Sequence, residues 1–240
     1  ISHLNDIMDD MGTALHAAIL NPSEQKQLKK QKKKEHKAKQ KTSSEKNRVF
    51  LLDFKGDMKA SAVTNLREEI TAVLSQVTKE DEVVVRLESA GGMVHSYGLA
   101  ASQLDRIKKK GIPLTVCVDK VAASGGYMMA CVADKILAAP FSIIGSIGVV
   151  AQLPNFNRLL KKHDVDVELH TAGEHKRTLT IFGENTQEGR EKFIEDLEDT
   201  HELFKDFVAQ HRDNVDIKKI ATGDIWLGTR AKELCLIDDL

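Results

Sequence analysis

The feature that most constrains this chain is a set of strand-length apolar runs alternating with helical patterns. RVFLLDFK (48–55), EVVVRLE (82–88) and PLTVCVD (113–119) are runs of strand length. Between the first two, over 60–77, Leu66, Ile70, Val73 and Val77 recur at helical spacing. Between the second and third, over about 95–110, Tyr97, Ala101, Leu104 and Ile107 share one helical face. AASGGYMMACVA (122–133) reads as a turn entering a short helix, and KILAAP (135–140) and SIGVVAQL (146–153) read as further strands. A long amphipathic helix is expected over 187–212, with Phe193, Leu197, Phe204, Phe207 and His211 along its inner stripe. This alternation predicts the α/β class, a parallel sheet with crossover helices. In such sheets ligands bind beyond the carboxyl ends of the strands. Two glycine turns stand at such ends, Gly91-Gly92 after the second run and Gly125-Gly126 after the third.

With 240 residues, 41% hydrophobic and 30% charged, the chain is long and apolar enough to bury a core, which excludes a disordered polymer. No apolar run approaches the roughly 20 residues of a membrane-spanning helix. Three cysteines are too few for a disulfide framework, and Cys117 and Cys131 lie in apolar stretches that suit buried small hydrophobes. No zinc pattern is present. The net charge of −1 conceals an asymmetry. Residues 24 to 48 hold eleven Lys or Arg against three Glu, a local charge of +8, and the rest of the chain carries −9. Such a tract reads as a solvated helix or linker attracted to anionic phosphates. No aromatic side chains interleave with the lysines, so the stacking platform of single-strand nucleic-acid binders is missing and no specific nucleic-acid partner is expected. The expected division is an N-terminal segment (1–23), a Lys-rich linker (24–47) and a compact body (48–240).

Ser124 lies in Ala-Ala-Ser-Gly-Gly, after a strand and at the start of a helix, where small neighbours let a substrate backbone come close. The amide of Gly125 could donate to an oxyanion, and the turn Ser89-Ala90-Gly91-Gly92 could supply a second donor, glycine leaving the amide unobstructed. The same pattern also suits a serine that merely caps a helix. A serine nucleophile needs a base. None of the nine histidines stands in a recognisable pattern with an acid, and His95 and His175 are kept in reserve. A lysine can serve where burial lowers its pKa from about 10.4 toward roughly 7 to 8, but spacing alone selects none of those present.

VDKVAASGGYMMACVADKILAAPFSIIGSIGVV (118–150) resembles the nucleophile region of the signal peptide peptidase A family of serine peptidases. The resemblance runs from about Arg48 to the C-terminus, through SAGGMV (89–94), PNFNRLLKK, HTAGEHKRTLT (170–180), GENTQEGREKF and ATGDIWLGTRAKELCLIDDL, in the family's order. It implies a ClpP/crotonase-like fold and a Ser-Lys dyad, with Ser124 matching the nucleophile and Lys176 the general base. Ser146 matches a helper serine, Gly92 and the Gly125 amide match the oxyanion positions, and Gly91 supports them. The resemblance further implies peptide substrates, signal-peptide remnants among them, an acyl-enzyme, no cofactor, and a homo-oligomeric ring in which serine and lysine can come from neighbouring protomers. It also implies a membrane anchor, expected upstream of Ile1, with the catalytic body on the periplasmic side of a bacterial inner membrane and the lysine tract near its surface. Two positions depart from the family's pattern. Ala90 replaces a proline that presets the oxyanion turn, and Cys235 replaces a glycine of the closing motif. Two other functions use the same features differently. A crotonase-type acyl-thioester enzyme would share the oxyanion turns, and a non-enzymatic scaffold would use only the basic tract.

Overall fold

The computed structural model describes residues 2–41, 47–173 and 175–240. Ile1, residues 42–46 of the Lys-rich tract and Glu174 of the stretch 170–180 lie outside the described residues. The chain divides into two units, Ile1–Lys46 and Asn47–Leu240.

The first unit is a pair of helices, α1 (Leu4–Ile19) and α2 (Pro22–Lys41). Asn-Pro-Ser-Glu at 21–24 starts α2 for a physical reason. The Asn21 side chain accepts from the amides of Ser23 and Glu24, and the Glu24 carboxylate accepts in return from the Asn21 amide at 3.0 Å. This is a reciprocal capping box, with Pro22 at the first helical position, where a missing N–H costs nothing. Lys32 Nζ donates to Thr13 Oγ1 at 2.7 Å, and Gln25 Nε2 donates to the carbonyls of Ala17 and Leu20, tying the helices together. Leu4, Ile7, Met8, Met11, Leu15 and Ile19 of α1 are all exposed. The Lys-rich tract is helical over 24–41. Among the described residues no helix is long and apolar enough to cross a membrane.

The second unit runs β1 (Val49–Lys55), α3 (Val63–Gln76), β2 (Glu82–Glu88), α4 (Val94–Lys109), β3 (Leu114–Val118), β4 (Val121–Ala123), α5 (Gly125–Ala130), β5 (Lys135–Ala138), β6 (Ile143–Gly145), α6 (Asn157–Lys162), α7 (Gln187–His211), α8 (Ile217–Ile220), β7 (Ile225–Leu227) and α9 (Gly228–Glu233). Strands β1-β2-β3-β5 form an all-parallel sheet, so each neighbour is reached by a crossover. A smaller sheet, β4-β6-β7, pairs β4 with β6 in parallel and β6 with β7 antiparallel. The expected stripe of α4 is buried throughout, with Tyr97, Ala101, Leu104 and Ile107 packed in one core with Leu66, Ile70, Val85, Leu87 and Val116. Each large apolar side chain so buried contributes about 1.5–3 kcal/mol. Helix α5 is buried along its whole length.

Three expectations are corrected. SIGVVAQL (146–153) is not a strand. The strand lies three residues earlier, as β6, and ends where Gly145 and Ser146 take φ of 97° and 52°, angles outside any pleated strand. Cys117 is half-buried, because β3 turns it to the face opposite Val116 and Val118, beside the exposed Arg86 of β2, whereas Cys131 is buried as expected. Along α7 only Phe204 and Val208 are buried, and Phe193, Leu197, Phe207 and His211 are half-buried.

Candidate active site

The site forms because β2 does not stop pairing at Glu88. Ser89 bridges to Ala122 of β4, with the Ser89 amide donating to Val121 O at 2.9 Å and the Ala123 amide to Ser89 O at 3.0 Å. This brings the turn after β2 against the turn after β4. Met93 N donates to Met58 O at 2.9 Å, which sets the loop after β1 beneath them. Three strand ends thus converge, as expected for a ligand site in a parallel sheet.

Ser124 stands between β4 and α5 with φ 52° and ψ −122°, a conformation rarely adopted by a residue with a side chain. Its amide donates to Gly145 O at 2.7 Å and its carbonyl accepts from Met128 N at 2.9 Å, so hydrogen bonds on both sides hold the strained backbone. Its side chain is half-buried, and Oγ, which makes no hydrogen bond among the described residues, is accessible to solvent. Gly91, at φ 90°, lies against it. A Cβ there would come 2.7 Å from Gly125 N and 2.8 Å from Ser124 Cβ. At Gly125 a Cβ would overlap the Tyr97 ring. Among the described residues the amides of Gly92 and Gly125 donate to no acceptor, which leaves both available to a developing oxyanion.

Ser146 stands beside Ser124 by register. Ala123 pairs with Gly145 in the β4–β6 ladder, and the serine after each turns away at the same φ of 52°. The Ser146 amide is held by Asp224 O at 2.7 Å, and its side chain is half-buried. The structure therefore gathers Ser124, Ser146, Gly91, Gly92 and Gly125. It does not join Lys176 to them. That residue is exposed, its amide donates to Gly173 O at 3.2 Å, and among the described residues its side chain makes no hydrogen bond or ion pair. The surrounding segment is anchored elsewhere, where Asn155 Nδ2 donates to Thr180 O and Gly183 O and Asn157 Nδ2 donates to Phe182 O. His95 and His175 are exposed as well. Among the described residues no three metal-ligating side chains converge.

Two residues of the site escaped the sequence reading. Ser89 reads there as part of a turn and Tyr97 as a core position. Tyr97 Oη donates to Asp57 O at 2.7 Å and lies 2.5 Å from Ser89 Oγ, which accepts from the Gly91 amide at 3.1 Å. Burial pushes the phenol's pKa up, against the lowering effect of Ser89, so it keeps its proton and remains a donor. The available signal was general: a buried tyrosine needs a partner for its hydroxyl.

Comparison with known proteins decides the family. The chain matches the family model described as Peptidase family S49 over residues 106–240, and Peptidase family S49 N-terminal over residues 1–104. The chain belongs to peptidase family S49. Its α/β body is accordingly the ClpP/crotonase-like fold that the resemblance implied. Among curated S49 relatives it is 65% identical, over 80% of its length and 54% of the relative's, to "Probable protease SohB" of Haemophilus influenzae. It is 62% identical, over 80% of its length and 63% of the relative's, to "Probable protease SohB" of Buchnera aphidicola subsp. Schlechtendalia chinensis. The chain thus spans less than two thirds of either relative. The departure at Cys235 has a visible consequence in this S49 chain. Cys235 adopts φ 60° just past the end of α9, its amide donates to Lys232 O at 3.0 Å, and Leu236 N donates to Ala231 O at 2.9 Å. That pair of bonds is a Schellman motif, and its left-handed residue is ordinarily glycine.

Proposed function

We propose that this chain is the catalytic part of a serine endopeptidase. Ser124 is the nucleophile, Lys176 the general base, Ser146 the helper hydroxyl, and Gly92 and Gly125 the oxyanion donors. The observation that carries the reading is the strained Ser124 itself, whose Oγ has no hydrogen-bond partner among the described residues and stands beside two undonated amides. Strain of this kind is retained where surrounding bonds enforce it, and it is concentrated at reactive sites. Membership of a peptidase family supports the same chemistry.

In the proposed reaction the Ser124 proton passes to the neutral Lys176 amine as Oγ attacks a peptide carbonyl. The tetrahedral oxyanion accepts from the Gly92 and Gly125 amides, each such donor supplying about 3 kcal/mol in comparable sites. The C–N bond then breaks, the lysine ammonium returns its proton to the departing amine, and water activated by the same lysine releases the acyl group. Substrates are membrane-associated peptides such as signal-peptide remnants, the protein works at the bacterial inner membrane with its catalytic body on the periplasmic side, and it acts as a ring. The exposure of Lys176, and its lack of a bond to Ser124, favour a lysine supplied by a neighbouring protomer.

Labelling by a fluorophosphonate tests this reading. The assembled wild-type chain should label, and Ser124→Ala and Lys176→Ala should not. Mixing the two variants should restore labelling if the dyad is completed between protomers and leave it absent if it is completed within one. A folded, oligomeric wild type that does not label would overturn the proposal, and binding of coenzyme A by that same sample would move it to the acyl-thioester class.

A further inference from the structure

We infer that Tyr97 is a positioning residue for the reaction at Ser124, setting the oxyanion turn through a one-way relay of hydroxyl groups. This rests on the serine-peptidase reading above and adds to it residues outside the dyad. The direction of the relay follows from its two ends. The Asp57 carbonyl can only accept, so the single phenolic proton of Tyr97 is committed to it at 2.7 Å. Tyr97 Oη must then accept from Ser89 Oγ, 2.5 Å away, and the Gly91 amide, which can only donate, completes the chain into Ser89 Oγ at 3.1 Å. Each hydroxyl therefore has one rotor position. The Gly91 N–H is drawn inward, and the next amide, that of Gly92, is left for the substrate.

The same side chain reaches the other turn. Its ring lies so close to Gly125 that no Cβ fits between them, and it makes a T-shaped contact with Phe54, ring centroids 6.5 Å apart. Ser89 and Tyr97 are both buried, at 1% and 0% exposure, so water does not compete for the relay. One tyrosine on α4 thus bears on both turns, on Gly91 through Ser89 and on Gly125 through its own ring, while being buried itself. Loss of its hydroxyl leaves the core intact and releases the rotor of Ser89. Misplacing a catalytic group by a fraction of an ångström to one ångström costs up to about 100-fold in rate.

The test uses the assembled chain and a fluorophosphonate, with Tyr97→Phe, Ser89→Ala and the double variant. The expected result is a maximal labelling rate of the folded fraction lower by about 10- to 100-fold in each single variant, with the half-saturating probe concentration unchanged. The double variant should lose no more than Ser89→Ala alone, because both act through one relay. A role confined to packing would lower the melting temperature and leave the labelling rate of the folded fraction at the wild-type value. Should Tyr97→Phe fail to fold, Ser89→Ala decides alone, since it removes only the middle hydroxyl. Wild-type rates in the folded variants, or losses that multiply in the double variant, would overturn the relay. A wild type that never labels would instead overturn the peptidase reading, so the two failures are distinguishable.

Discussion

At the scale of single residues, side chains sit where backbone geometry would prefer glycine, and the consequences are measurable. Cys235 occupies the left-handed position of the Schellman motif that closes α9. Cys235→Gly relieves that conformation, and after allowing for the extra freedom glycine gives the unfolded chain, the gain should be about 0.5–1 kcal/mol. A rise in the urea midpoint at unchanged slope is the expected readout, and a fall would remove the strain argument. The three thiols should also separate by reactivity. Burial pushes the Cys131 thiol up to about 12, burial together with Asp119 and Glu82 raises Cys117, and Cys235 is exposed. A thiol reagent at neutral pH should modify Cys235 fast, Cys117 slowly and Cys131 only on unfolding. Ser124 and its glycine turns were legible in the sequence because their signal is local, a small-residue turn at a strand end. Tyr97 was not, because its role depends on segments 40 and 8 residues away, at Asp57 and Ser89.

Elements carry the next level. The strands β1, β2, β3 and β5 were readable as apolar runs because alternate side chains, such as Leu52 and Phe54 of β1 and Val83, Val85 and Leu87 of β2, enter the core. The limit came where period gave way to backbone angle, at Gly145-Ser146, where an apolar sequence continues and the strand does not. One ionic contact fixes how the first two strands start. The buried Asp81 carboxylate accepts from the Arg48 guanidinium at 2.6 Å and the Thr78 amide at 2.7 Å, while Glu82 N donates to Arg48 O. Arg48 first, and then Thr78, hold the Asp81 carboxyl well below the usual carboxylate range. A depressed folded pKa stabilises the fold above the ordinary value of about 4, and that contribution is lost as pH falls below it. Asp81→Asn should therefore lower the urea midpoint at pH 7, and the gap from wild type should narrow as pH drops toward 2. A gap independent of pH would show that the pair's charge contributes nothing.

For the whole molecule, the two units predict an order of cleavage. Lys26, Lys30, Lys33 and Lys34 of α2 are exposed, whereas the body from Asn47 onward shares one core. Brief trypsin digestion should cut first within the tract and leave a fragment from about residue 47 with the melting temperature of the intact chain. A fragment melting lower would mean that the helices stabilise the body. The body's own wiring has an effect on timing. The corner around Ser124 draws on the carbonyl of Asp57, the turn at Gly91, the strained Ser124 and the peptide at Ser146, which is held in turn by Asp224. Almost the whole length of the body must be synthesised and in place before those groups face one another. A half-folded chain therefore carries the residues of the proposed site without its geometry, and on the peptidase reading it should not label with a fluorophosphonate until folding is complete.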